Sequence, residues 1–143
     1  MKTIKIFSLT LSLLFLLTNV KAGKPHPHAM YSVKFSITAF IDADTRGICD
    51  GLTDIIADNA KFSIIRGDDM WSFNKKQLVD HMESMSGIKQ NCTTSWNIVE
   101  SFNSYVLIKV KMKYPTFSRY NYVTMNECSD GWKITNISSI FIQ

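Results

Sequence analysis

Alternation between apolar and polar positions is clearest over residues 105–114. Val106, Ile108, Val110 and Met112 take one phase, and Lys109, Lys111 and Lys113 take the other. A period of two sends these sets to opposite faces of a β-strand. The apolar face must meet a core and the lysines must meet water, which fixes the register. Strand texture continues on both sides, over residues 93–101, 120–127 and 132–142. Asn103-Ser104, Pro115-Thr116-Phe117 and Ser129-Asp130-Gly131 are the intervening turns. Upstream, residues 60–66 and 70–73 read as a hairpin around Gly67-Asp68-Asp69.

The first part of the chain carries a longer period. Met30, Val33, Ile37, Phe40 and Ile41 recur at helical spacing, although Val33, Phe35, Ile37, Ala39 and Ile41 also alternate. The run is long for a strand, so residues 29–46 are expected to be helical, with Gly47 as the stop. A second, shorter helix is expected over residues 50–59. Asp50 would be its N-cap and Leu52, Ile55 and Ile56 its apolar stripe. Asn74 then caps a third helix with the stripe Leu78, Val79, Met82 and Met85, ended by Gly87. This order predicts an α+β fold: three N-terminal-half helices packed on a curved, mostly antiparallel six-stranded sheet.

Residues 1–22 have a different character. Lys2 and Lys5 precede an apolar run of roughly a dozen residues, too short for the ~20 of a spanning helix. Val20 and Ala22 stand at the −3 and −1 positions of a signal-peptidase site. This is the pattern of a secretory signal peptide, so we expect an exported protein, periplasmic or secreted, without a stable membrane anchor. Residues 23–29 then read as a flexible tail, in which His26 and His28 are incidental, and residues 30–143 as one domain. Removing the signal changes the charge. The full chain has 16 Lys+Arg against 12 Asp+Glu, a net +4. Loss of Lys2, Lys5 and Lys21 leaves 13 against 12. A near-neutral domain lacks the electrostatic footprint of a nucleic-acid binder. Cys49, Cys92 and Cys128 are compatible with one disulfide of unspecified pairing or with three buried thiols. Their wide spacing is unlike a zinc site, and no metal or cofactor is expected. Asn91-Cys92-Thr93 and Asn136-Ile137-Ser138 are glycosylation sequons.

One stretch, Asp50-Gly51-Leu52 through Ile55-Ile56 to Asp58-Asn59-Ala60-Lys61-Phe62, resembles the nuclear-transport-factor-2-like superfamily, also called the SnoaL-like or ketosteroid-isomerase-like fold. The closing Asp130-Gly131-Trp132-Lys133-Ile134 is similar to that family's last hairpin. The resemblance spans residues 30–143. It implies a cone-shaped barrel with a pocket between helices and sheet, and often a homodimer formed through the sheet. Members include isomerases, cyclases, dehydratases, ligand binders and interaction modules, so the fold does not give the function.

An isomerase of this kind needs a carboxylate base and donors for a developing oxyanion. Tyr105, Tyr114, Tyr120 and Tyr122 offer donors. Glu100 and Glu127 lie near strand ends, and Asp42 and Asp44 lie at the end of the first helix, where solvent is the default. The family's catalytic residues therefore do not carry over. Asp44 and His81 are the catalytic candidates that remain, His81 being the one histidine within residues 30–143. The expected pocket is apolar, built from Phe40, Trp96, Val106, Ile108, Val110, Met112, Trp132 and Ile134. The expected function is binding of a small apolar molecule, or an accessory role, without catalysis. The alternative is a cofactor-free isomerase, cyclase or dehydratase.

Overall fold

The computed structural model describes residues 31–143. The signal-peptide and tail readings of residues 1–29 lie outside the described residues. The order is α1 (Val33–Arg46), β1 (Ile56–Arg66), β2 (Asp69–Asn74), α2 (Lys75–Ser84), β3 (Thr93–Phe102), β4 (Tyr105–Lys113), β5 (Ser118–Cys128) and β6 (Gly131–Ile142). All six strands form one sheet in the order β2-β1-β6-β5-β4-β3. The β3–β6 meander is antiparallel throughout.

Two expectations need correction. Among the described residues there are two helices, not three, because residues 50–55 form turns and Ile56 already opens β1. Gly51 has φ +73°, which a right-handed helix cannot accommodate. Ile55 and Ile56 are instead drawn into the sheet, where Ile134 N donates to Ile55 O at 2.8 Å and Ile56 pairs with Ile134. Leu52, Ile55 and Ile56 are fully buried all the same; their apolarity served the core rather than a helix. Second, the sheet is open with β2 and β3 as edges, not a closed barrel. The sheet is mostly antiparallel, as expected, with β1–β6 as its parallel pairing.

The helices that do form follow local signals. Ser32 caps α1 by accepting from Phe35 N, and Gly47 closes it at φ +63°. Asn74 and Gln77 form a reciprocal capping box on α2. The alternation in β4 has the expected phase: Val106, Ile108, Val110 and Met112 are buried, while Lys109 and Lys111 are half-buried on the opposite face and Lys113 is exposed. Ile37 and Phe40 of α1 and Val79 and Met82 of α2 complete that core. The segment after α2 is tied to the end of α1. Gly87 N donates to Gly47 O at 3.1 Å and Gln90 N to Thr45 O at 2.8 Å. Any Cβ on Gly47 would collide with the Gly87 backbone, so this approach requires glycine. No helix among the described residues is long and apolar enough to cross a membrane. Cys49, Cys92 and Cys128 are free thiols.

Candidate functional site

Between α1, α2 and the sheet lies a cavity of about 70 Å3. Phe40 and Asp44 come to it from α1, and Leu78, His81 and Met82 from α2. β1 contributes Phe62, Ser63 and Ile64, and β2 adds Phe73. Arg119 comes from β5, with Ile137 and Ser139 from β6. Asp44 reaches it because Phe40 and Asp44 are one helical turn apart and share a face. Arg119 reaches it because β5 alternates inward at Arg119, Asn121, Val123 and Met125, the residues opposite Met112, Val110, Ile108 and Val106.

Asp44 and Arg119 form an ion pair with 13% and 16% of their side chains exposed. The same Arg119 Nη2 approaches Met112 Sδ at 2.8 Å. Its Nε is buried without a hydrogen-bond partner among the described residues. Burial opposes the guanidinium charge, but the charge and hydrogen bond of Asp44 outweigh it and raise the Arg119 pKa. Around this pair the polar groups hold one another. Gln90 Nε2 donates to the Asp44 carbonyl, Tyr114 OH donates to Gln90 Oε1, and Ser139 Oγ donates to Asn121 Oδ1 at 2.5 Å. Ser63 Oγ bonds Ser138 Oγ at 3.3 Å. The imidazole of His81 is exposed and has no partner among the described residues.

Burial pushes the Tyr114 phenol up to about 12. Arg119 pulls the other way, and Cys92 and Asp44 reinforce the rise. The folded state therefore holds this proton more tightly than the unfolded chain, whose tyrosines titrate near ~10. The resulting stabilisation is complete below ~10 and is lost as pH climbs towards 12. Allowing for solvent screening of a half-buried group, about 1–2 kcal/mol disappears across that window. In an alkaline titration followed by tyrosinate absorbance, one of the five tyrosines should ionise last. Tyr114→Phe should remove that step and flatten the loss of stability. Five tyrosines titrating together would contradict this placement.

The structure brings together three of the residues singled out in the sequence: Asp44, His81 and Phe40 line one cavity. Asp44 is buried against Arg119 rather than solvated at a helix end. Val106, Ile108, Val110, Met112 and Ile134 lie in the packed core and do not line the cavity. Trp132 is half-buried against that core. Trp96 is 37% exposed on the edge strand β3, where no further strand covers it. Arg119 was not a sequence candidate. Its signal was the inward phase of Asn121, Val123 and Met125 carried back two residues. Among the described residues no group of three His, Cys, Asp or Glu side chains is arranged to hold a metal.

No protein-family model and no curated protein matches the chain. Solved structures do. An NTF-2 like protein of unknown function from Silicibacter pomeroyi is similar over 76% of this chain and 91% of its own, with 13% identity and TM-score 0.62. An NTF2-like protein of unknown function from Methylobacillus flagellatus shares 16% identity over 77% and 89% of the two chains, with TM-score 0.63. A ketosteroid isomerase-like protein from Erwinia carotovora atroseptica shares 9% over 78% and 94%, with TM-score 0.57. Identities this low speak for architecture alone, and over three quarters of this chain the architectures superpose. The chain has the nuclear-transport-factor-2-like fold.

Proposed function

We propose that this chain is an exported small-ligand-binding domain, that its site is the cavity between α1, α2 and the sheet, and that it binds without catalysing. The observation that carries this reading is the state of the cavity's polar groups. Asp44 is taken by Arg119, Ser139 by Asn121 and Ser63 by Ser138; the remaining wall, His81 aside, is apolar. A general base must be free to accept the proton it removes, and a carboxylate held by a guanidinium is not. At about 70 Å3 the cavity offers the room of roughly two waters, against ~300–1,000 Å3 for most ligand sites. A ligand of ordinary size therefore enters by displacing Phe73 and Leu78. α2, which brings Leu78, His81 and Met82 to the cavity, packs chiefly on β1 and β2.

The reading includes a small, mainly apolar ligand, no nucleic-acid partner, no stable membrane anchor, and a homodimer through the uncovered sheet face. On that face Lys109 and Lys111 lie 4.8 and 5.7 Å from the Tyr120 ring centroid. The second reading, a cofactor-free isomerase, cyclase or dehydratase, is favoured by one feature: the unpartnered His81 imidazole at the same cavity. Native mass spectrometry of the purified protein reads ligand and oligomeric state together. We expect a co-purified small molecule that is lost in Leu78→Trp, which fills the cavity. Ligand undiminished in that variant would place the site elsewhere. Turnover of a candidate substrate that vanishes in His81→Ala would establish the second reading.

A further inference from the structure

A second cleft lies where β1 turns into β2, β4 passes to β5, and β6 ends. It measures about 640 Å3 and is lined by Arg66, Gly67, Thr116, Phe117, Phe141 and Gln143. This volume, unlike that of the α1–α2 cavity, lies in the ~300–1,000 Å3 range of small-molecule sites. One wall is aromatic. Phe117 packs against Phe141 with ring centroids 5.9 Å apart, and it stacks on Tyr114 at 4.4 Å and 11°.

Arg66 closes this wall, with its guanidinium 4.7 Å from the Phe141 centroid. Of the three arginines, Arg46 pairs with Asp42 and Arg119 with Asp44. Arg66 has no carboxylate partner among the described residues and is exposed. A guanidinium stacked on a ring keeps its in-plane donors free, and that fork matches a carboxylate. The ring beneath it attracts the charge and holds it at the cleft. Asp68 lies in the β1–β2 turn and Asp69 opens β2 opposite Arg66, and both are exposed. Their charge disfavours a ligand carrying a second negative group.

We propose that this cleft binds a planar aromatic monocarboxylate, with its ring against Phe117 and Phe141 and its carboxylate on the Arg66 fork. The site does not depend on the α1–α2 cavity. The test titrates the full chain with benzoate and with benzamide, which has the same shape without the charge, and follows binding by NMR. Benzoate should bind at least about tenfold more tightly than benzamide, with resonances of Phe117 and Phe141 moving. Arg66→Gln should reduce benzoate to the level of benzamide. Arg66→Lys should restore only part of the difference, because an ammonium lacks the planar fork. Equal affinity for the two probes, no binding at millimolar benzoate, or affinity unchanged in Arg66→Gln would each overturn the proposal. So would shifts confined to Phe40 and Leu78, which would assign the ligand to the α1–α2 cavity instead.

Discussion

Asp44→Ala should lower the unfolding free energy by about 3–5 kcal/mol, the usual loss when one member of a buried ion pair is removed. The cost is not the value of the pair. It is the penalty of leaving the Arg119 charge buried, with Nε already lacking a partner and Nη2 left with only the Met112 sulfur. The double variant Asp44→Ala/Arg119→Met should recover most of that loss, because it removes the charge as well as its partner. Urea unfolding of wild type, both single variants and the double variant gives the coupling directly. If Asp44→Ala changed stability by less than about 1 kcal/mol, the level of an exposed pair, the pair would have to be solvated. The cavity would then have a different electrical character from the one drawn above.

Neighbours in β4 should respond to alanine in opposite ways. Ile108 is fully buried, so Ile108→Ala should cost about 2–5 kcal/mol from lost burial and the cavity left behind. Lys109 lies on the other face, 4.8 Å from the centre of the Tyr120 ring. Lys109→Ala should cost about 0.5–1 kcal/mol, the worth of a partly exposed cation–π contact. A one-residue slip of β4 exchanges the two faces and would reverse this order, so measuring both variants tests the register of the whole meander. The β4–β5 pairing opposes Ile108 to Val123 and Lys109 to Tyr122, so the same slip would set Lys109 among the inward residues of β5.

Legibility in the sequence followed the range of the interactions. The β4 phase was readable because each of its residues is judged by neighbours two positions away. The α2 start was readable because the Asn74–Gln77 box is complete within four residues. Residues 50–59 misled because an apolar stripe records only that Leu52, Ile55 and Ile56 are buried. It does not say in which conformation, and a positive φ at Gly51 decided against the helix. Arg119 was missed because the strand was read from Tyr120 onward, while β5 in fact begins at Ser118.

The sequence by itself determined the α+β class, the meander with its inward face, and both helices that form. Only the tertiary structure decided that β1 lies parallel to β6, that the sheet stays open, and that Asp44 is buried against Arg119. It also decided that the expected apolar pocket is largely filled core. The reason is physical. Periodicity and capping are settled by contacts within a few residues, so they leave a local trace in composition. Strand pairing between distant segments, and the desolvation that makes a charge seek a particular partner, depend on groups far apart in the chain. No local pattern can say which of several carboxylates will face the one arginine brought inward by β5.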